Sequence, residues 1–251
     1  MSNRLLFSLL GVLLLPILAF SQQDQGYIRY LITHNWSKKM AAVDYISKQR
    51  KEKINYMWGN RSEWKSFANY YFSPAQSKYE DSEELAEPND EGYSWRRDPF
   101  FVRRNFEQQT EQDQLTLQGK TYVVEDSIWK QDWKILNDMK EVAGHVCMNA
   151  IWEDSLKLQT VMAWFALDIP VSGGPERFGG LPGLILEVDV NNGGMLITAD
   201  KIEMKALTTE LNPPKKIKGK KVNEAAYRDV IAKFVAERKK EEEPPFWGMR
   251  Y

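Results

Sequence analysis

His145 and Cys147 come closest to a reactive or metal-binding pair in this chain of 251 residues. They stand two positions apart in a stretch predicted as a β-strand, so both side chains project from the same face. A structural zinc site needs four ligands, and His34 is the only other histidine. Because no third and fourth ligand can be named, we predict no metal site, and we interpret Cys147 as a small buried hydrophobic residue.

Three carboxylates, Asp168, Glu176 and Glu187, could carry acid–base chemistry. Such catalysis needs two groups in contrasting environments, and their spacing does not create them. The sequence also lacks a nucleophile elbow, a P-loop, an HExxH motif and a dinucleotide-binding fingerprint. We therefore assign no catalytic residue, expect no cofactor and favour a non-enzymatic protein. Hydrolysis by the loop carboxylates is the alternative.

A glycine- and proline-rich segment, Asp168 to Gly183 (DIPVSGGPERFGGLPG), is the most distinctive stretch of the chain. Long connections of this kind usually serve function. The Pro182-Gly183 pair predicts a type II turn with Gly183 at positive φ, so that Gly183→Val should destabilise the fold. The segment predicts a binding surface with Arg177 near its tip. The candidate residues are Trp164, Asp168, Pro170, Gly174, Pro175, Arg177, Phe178, Gly180, Leu181, Pro182 and Gly183. A rigid structural turn that closes one end of the sheet is the other interpretation.

Most of the remaining chain alternates between apolar and polar residues, as β-strands do. A first strand is predicted at residues 26–33, a helix at 37–57 that stops at Gly59-Asn60, and a strand at 68–72. Hairpins are predicted around residues 118–120, 137–140 and 191–194. Tyr227, Val230, Ile231, Phe234 and Val235 form the apolar stripe of a C-terminal helix, which Asn223 caps and which should dock on the sheet.

These elements predict an α+β fold that is mainly antiparallel β: a curved meander sheet or half-barrel with an N-terminal helix and a C-terminal amphipathic helix. We divide the chain into a signal peptide (residues 1–21), one β-rich domain (22–211) and a basic linker with a helix and tail (212–251). Within the domain, the acidic stretch of residues 79–99 is predicted to be a mobile loop.

The N-terminus carries an export signal. Arg4 precedes an apolar run from Leu5 to Phe20, and Ala19 and Ser21 provide the small residues of a cleavage site. The run is short for a membrane-spanning helix, so we expect cleavage near Ser21, no transmembrane segment thereafter, and a periplasmic or secreted protein. The net charge of −1 becomes −2 once Arg4 is removed, which argues against nucleic-acid binding. With Cys147 alone, no intrachain disulfide can form.

The string GGLPGLI (Gly179–Ile185) resembles the signature of the GLPGLI family, a group of exported bacterial proteins. Two blocks agree with it, WKILNDMKEVAGHVC (Trp133–Cys147) and AWFALDIPVSGGPERFGGLPGLILEV (Ala163–Val188), and the resemblance extends from about Trp133 to Ile202. It implies an envelope location and a shared fold, without an assigned reaction.

We expect a periplasmic binding or envelope-assembly protein. Its partner would be an envelope or outer-membrane protein, or an apolar small ligand. A hydrolase and a purely structural exported protein are the alternatives.

Overall fold

The computed structural model describes residues 24–58, 63–86 and 98–250. Its strands are β1 (Gly26–Asn35), β2 (Glu63–Phe72), β3 (Gln76–Asp81), β4 (Phe101–Asn105), β5 (Thr110–Leu117), β6 (Lys120–Ser127), β7 (Lys134–Val142), β8 (His145–Asp154), β9 (Gln159–Ala166), β10 (Leu184–Val190), β11 (Met195–Met204) and β12 (Lys220–Val222). These strands form one open sheet in the order β12-β6-β5-β4-β3-β2-β1-β11-β10-β9-β8-β7. The β12–β6 pair is parallel, and the other pairs are antiparallel.

The helices are α1 (Trp36–Ala42), α2 (Lys48–Trp58) and α3 (Glu224–Lys240), followed by a 3-10 turn at Pro245–Trp247. The Asn223 side chain accepts a hydrogen bond from the Ala226 amide and caps α3, as predicted. The buried stripe of α3 belongs to the main core, which confirms that this helix docks on the sheet. The α+β class with a mainly antiparallel sheet is therefore confirmed.

One face of the sheet carries the core. In β1 the residues alternate strictly between buried and half-buried, with Ile28, Tyr30 and Ile32 fully buried. Successive side chains of a strand point to opposite faces, so this pattern marks one covered face and one partly solvated face. A second, smaller cluster contains Met40, Ile46, Ile54 and Phe246, and it joins α1 and α2 to the 3-10 turn.

The single helix predicted at residues 37–57 is wrong, because the structure has two helices there. Asn35 caps α1 through a hydrogen bond that its side chain accepts from the Lys38 amide. The helix ends where Val43 adopts an extended backbone, and α2 begins at Lys48. Both helices contribute an apolar residue to the second cluster, Met40 from α1 and Ile54 from α2.

The predicted turn at Asn137–Lys140 is also wrong, because these residues lie inside β7. The turn comes at Ala143 and Gly144, both at positive φ, as a two-residue hairpin requires. Asn137 and Asp138 form an irregularity where the register of β7 and β8 shifts. Asn149 accepts a hydrogen bond from the Asp138 amide there, so polar residues that resemble a turn stabilise a bulge instead.

The first strand and the hairpins around residues 118–120 and 191–194 are confirmed. The acidic loop prediction is corrected at its start, because residues 79–81 belong to β3. Residues 87–97 of that stretch, the export signal with its cleavage site, and the Gly59-Asn60 stop lie outside the described residues. The domain division stays a prediction. No helix in the described ranges is long and apolar enough to cross a membrane.

Candidate binding site

The glycine- and proline-rich segment, called here the loop (Asp168–Gly183), connects β9 to β10. Its apolar residues Ile169, Val171 and Leu181 are buried in the main core. The Ile185 amide donates to the Gly173 carbonyl at 3.0 Å, and the Leu184 amide donates to the Ile169 carbonyl at the same distance. The loop therefore packs against the sheet as an additional layer.

The predicted type II turn at Pro182-Gly183 is wrong in its backbone geometry. Gly180, with φ 84°, has the left-handed conformation, and Gly183 does not. A Cβ at Gly183 would lie 2.2 Å from the carbonyl oxygen of Ala166. Glycine is thus needed at residue 183 because two backbone segments approach each other closely.

The candidate surface residues divide into three groups. Asp168, Pro170, Gly180 and Pro182 are exposed, Trp164, Arg177 and Phe178 are half-buried, and Gly174, Pro175, Leu181 and Gly183 are buried. The buried residues cannot form a contact surface, which corrects that part of the prediction. The placement of Arg177 at the tip is wrong, because its side chain is only 17% exposed and points into the protein.

Arg177 is the centre of a buried ionic cluster. Its Nε lies 2.7 Å from Asp113 Oδ2, and its Nη2 lies 3.1 Å from Glu111 Oε1 and 2.6 Å from Glu224 Oε2. Arg104 also contacts Asp113, with 3.1 Å between its Nη2 and Oδ2. The cluster joins the loop to β4, β5 and the first turn of α3.

Burial and charge act against each other in this cluster. Burial raises the pKa of Glu111 because it penalises the carboxylate, although Arg104 acts in the opposite direction. For Arg177, burial disfavours the charge, but Asp113, Glu224 and Glu111 prevail and raise its pKa. The cluster is a structural clamp, because its arginines already bind the carboxylates.

Glu176, next to Arg177, holds the C-terminal end of the described chain. Its carboxylate accepts a hydrogen bond from Arg250 Nε at 3.0 Å, and Arg250 Nη1 donates to Asp81 Oδ2 at 2.8 Å. The Arg250 guanidinium also lies 3.3 Å from the ring centroid of Phe100. Two consecutive loop residues therefore fasten α3 and the chain end.

His145 and Cys147 do not form a reactive pair. The Cys147 side chain is buried, and burial raises the pKa of its thiol to about 11, so thiolate is scarce at neutral pH. His145 Nδ1 instead lies 2.7 Å from Asp168 Oδ2 at the surface. Within residues 24–58, 63–86 and 98–250, no three His, Cys, Asp or Glu residues could together hold a metal ion.

Trp164 and Glu187 lie on neighbouring strands as register partners, so their side chains project to the same side. Glu187 forms an ion pair with Lys140 and accepts a hydrogen bond from Thr198 Oγ1 at 3.3 Å. The Lys140 ammonium also lies 4.3 Å from the ring centroid of Trp164. These contacts engage the Glu187 carboxylate and the ring face of Trp164 within the protein.

A small cavity of about 60 Å³ lies between the loop, α3 and the β8–β9 turn. Its lining includes Trp129, Trp152, Arg177, Glu224 and Tyr227. This volume holds on the order of four water molecules, which is too little for a sugar ring.

A much larger cleft of about 700 Å³ opens beside the C-terminal end of α1. This volume is typical of ligand sites. The α1–α2 connection, the β8–β9 and β10–β11 turns and the 3-10 turn form its walls. Its lining includes Lys39, Asp44, Tyr45, Glu153, Asp154, Ser155, Lys157, Leu158, Gln159, Thr160, Asn191, Asn192, Met195, Pro245 and Phe246.

The cleft combines rigid turns with available polar groups. Asn191 Oδ1 accepts from the Thr160 amide at 3.0 Å, and Asp154 Oδ1 accepts from the Leu156 amide at 3.1 Å. By contrast, the side chains of Asp44, Gln159 and Asn192 make no hydrogen bond or ion pair within the described part of the chain. They can therefore bind a ligand without first breaking a contact in the protein.

The sequence analysis missed this cleft. Its walls come from segments far apart in the chain, and it depends on the break between α1 and α2, which the helical pattern hid. The Asn191-Asn192 turn was identified, but only as a hairpin signal. The nearest available indication was the number of polar turn residues, which is common to all surface turns.

Comparisons with known proteins agree with this fold. The sequence model of a family described as "N-glycanase peptide, N-terminal domain" matches residues 86–229. Structures of PNGF-II in the C2 and P21 space groups superpose with TM-scores of 0.53 and 0.54, each at 15% identity over 82% of this chain. This chain covers 32% and 33% of those chains, about a third of their length. No curated protein matches the sequence significantly.

Proposed function

The chain belongs to the family of the N-terminal domain of N-glycanase peptide, and from this membership we propose that it is an exported, non-enzymatic protein that binds a glycan in the cleft. The observation that carries the proposal is the cleft of about 700 Å³ with unengaged polar side chains on its walls. The family name supports a glycan as the class of ligand, and the size and polar lining of the cleft support binding there.

The chemistry of the cleft suits a sugar. Each sugar hydroxyl can donate and accept a hydrogen bond, and Asp44, Gln159 and Asn192 together supply acceptors and donors. Tyr45 and Phe246 add aromatic surface that can cover the apolar side of a sugar ring. Hydrogen bonds already hold the β8–β9 and β10–β11 turns, so binding has to order side chains there but not the backbone.

The loop carboxylates support binding rather than hydrolysis. Glu176 is paired with Arg250, and Glu187 is paired with Lys140. Asp168 is exposed beside His145, and it does not line the cleft. A catalytic acid or base must reach the substrate, and these carboxylates are engaged elsewhere or lie outside the cleft.

Export and envelope partners belong to the same proposal. The resemblance to the GLPGLI family stays a prediction, because the family model that matches is a different one. Cleavage near Ser21 and a periplasmic or secreted location are also predictions. N-terminal sequencing of the mature protein tests the cleavage, and cell fractionation tests the location. An envelope partner would contact the exposed part of the loop. Photo-crosslinking from Pro182 tests this, because Pro182 is exposed and Arg177 is not.

The test of the ligand is calorimetric titration of the mature chain with the free pentasaccharide core of N-glycans. We expect saturable binding that weakens at least about tenfold in the Asp44→Asn/Gln159→Ala double variant, a loss of about 1.4 kcal/mol. Asp229→Asn, an exposed change on α3, is the matched control and should bind normally. Absence of binding by the unaltered chain would contradict the proposal.

The same preparations separate the alternatives. A hydrolase would release glycan from a glycopeptide, and Asp168→Asn would abolish the release if the loop carboxylates acted. A purely structural protein would neither bind nor release glycan. We expect binding without release.

A further inference from the structure

The C-terminal segment Pro244–Arg250, called here the strap, lies between the cleft and the small cavity. Pro245 and Phe246 line the cleft, and Met249 and Arg250 line the cavity. The strap is therefore a wall shared by both spaces. Any displacement of it changes the shape of the cleft.

We propose that Arg250 is a positioning residue for the cleft, which latches the strap to the loop and β3 and so holds Phe246 in the cleft wall. This inference rests on the proposed function, because it assigns the group that sets the shape of the glycan site. Arg250 itself lines the small cavity on the other side of the strap.

The contacts of Arg250 are those of a latch. It binds two carboxylates from separate parts of the chain, Asp81 at the end of β3 and Glu176 in the loop. Its side chain is 19% exposed, and its guanidinium lies against the ring of Phe100. A planar guanidinium with two carboxylate partners and an aromatic neighbour holds a defined orientation, which an ammonium would hold less well.

The rest of the strap has few other anchors. The Gln118 amide donates to the Gly248 carbonyl at 3.1 Å, and Met249 forms an isolated bridge with Leu117. Phe246 packs in the second cluster, with its ring centroid 6.0 Å from that of Trp36. Trp247, between them, is 46% exposed. Met249 is also buried in the main core, so the strap without the Arg250 contacts would depend on backbone contacts with β5 and on apolar packing, and it would lose its ion pairs to Asp81 and Glu176.

Two consecutive residues of the loop hold two separate C-terminal elements, the strap and α3. Glu176 holds the strap through Arg250, and Arg177 holds α3 through Glu224. Both C-terminal elements thus take their positions from the loop. The loop would then contribute to ligand binding from behind the cleft wall.

The first measurement is hydrogen exchange of the mature chain, followed by mass spectrometry. In Arg250→Met, we expect exchange of residues 244–250 to accelerate about tenfold or more, because the strap loses its ion pairs with Asp81 and Glu176 and opens locally more often. Exchange in α3 should stay unchanged. Lys233→Met, an exposed change in the middle of α3, is the control. Unchanged exchange of the strap in Arg250→Met would overturn the latch, whatever the chain binds.

The second measurement is titration with the N-glycan pentasaccharide core. We expect Arg250→Met to weaken binding about tenfold, Arg250→Lys to weaken it less, and Lys233→Met to have no effect. A disulfide between Leu117→Cys and Met249→Cys should restore binding to Arg250→Met by fastening the strap again. Unchanged affinity in Arg250→Met, or no rescue by the formed disulfide, would overturn the positioning role. If the unaltered chain does not bind the glycan, the proposed function is wrong. The exchange data still show whether the Arg250 contacts hold the strap in place.

Discussion

The loop and the cleft differ in what their polar side chains do. In the loop, Glu176 and Arg177 are both directed inward, and each binds a partner from a distant part of the chain. In the cleft, Asp44, Gln159 and Asn192 face open space and make no such contact with described residues. The loop has the more unusual sequence, whereas the cleft has the groups that are available to a ligand.

A segment can have an unusual sequence because it packs under tight constraints or because it binds a ligand, and here the loop is an example of the first. The glycines and charges of the loop satisfy demands of packing, because backbones approach closely at Gly183 and charges are buried at Arg177. The cleft residues Asp44, Gln159 and Asn192 satisfy no such demand and look ordinary. A distinctive motif can therefore mark the most constrained part of a fold, and the binding surface can lie next to it.

The largest expected effect comes from Arg177→Met. The change leaves Asp113, Glu111 and Glu224 buried without their shared partner, so we expect a loss of about 3–5 kcal/mol in the free energy of unfolding. Urea denaturation measures it. Lys221→Met removes an exposed ion pair with Glu125 and should cost at most about 1 kcal/mol. Similar losses in both variants would remove the distinction between the loop and an ordinary surface.

Gly183→Ala should have the second largest effect. We expect the free energy of unfolding to fall by about 2–3 kcal/mol, because the new Cβ collides with the Ala166 carbonyl. For a protein of this size, the melting temperature should fall by roughly 4–12 °C. Gly180→Ala is the matched control. It introduces the same methyl group into open space at φ 84° and should cost only about 1 kcal/mol. Equal losses would show that close approach is not what residue 183 requires.

Glu111→Gln should change the pH dependence of stability by a smaller amount. Burial raises the pKa of Glu111, so the folded chain keeps a proton that the unfolded chain releases. This carboxyl therefore stabilises the fold below its unfolded pKa of about 4.5, and that contribution is lost as pH rises through the raised folded value. Unfolding measured from pH 4 to 8 should show a flatter decline in Glu111→Gln. Parallel curves for the two proteins would contradict the raised pKa.

Asp168→Asn should have the smallest effect, and we expect the free energy of unfolding to fall by at most about 0.5 kcal/mol. The Asp168 side chain is 60% exposed, and exposed ion pairs contribute little to stability. Thermal unfolding measures the change. A loss as large as that of Gly183→Ala would show that the exposed start of the loop is as constrained as its interior.

The sequence predicted the features that depend on local patterns. Alternation gave the first strand, glycine and asparagine gave the Asn191–Gly194 turn, and helical spacing with a cap gave α3. The sequence-based predictions were wrong where contacts between distant parts of the chain determine the local structure. Asn137 and Asp138 form a bulge because Asn149 of the neighbouring strand binds the Asp138 backbone, and Arg177 turns inward because buried carboxylates surround it.

The candidate site was less predictable than the fold for the same reason. Spacing indicates which residues share a strand face, but not which distant turns meet. The interpretation of Cys147 as a buried hydrophobic residue is confirmed by its burial, because it needed only the residue type and the strand. The cleft needed the positions of α1, the β8–β9 turn and the strap together, and no local pattern contains that information.

The position of β1 in the sheet has a consequence for how the protein folds. This strand lies between β2 and β11, so the two halves of the sheet meet only along it. Ile28 pairs with Ile202, near the opposite end of the chain. Pairing over such a separation is slow, because the intervening chain must lose much of its freedom before the contacts form. Closure of the sheet therefore has to wait for β11, and until then β1 has only β2 as a partner among the described strands.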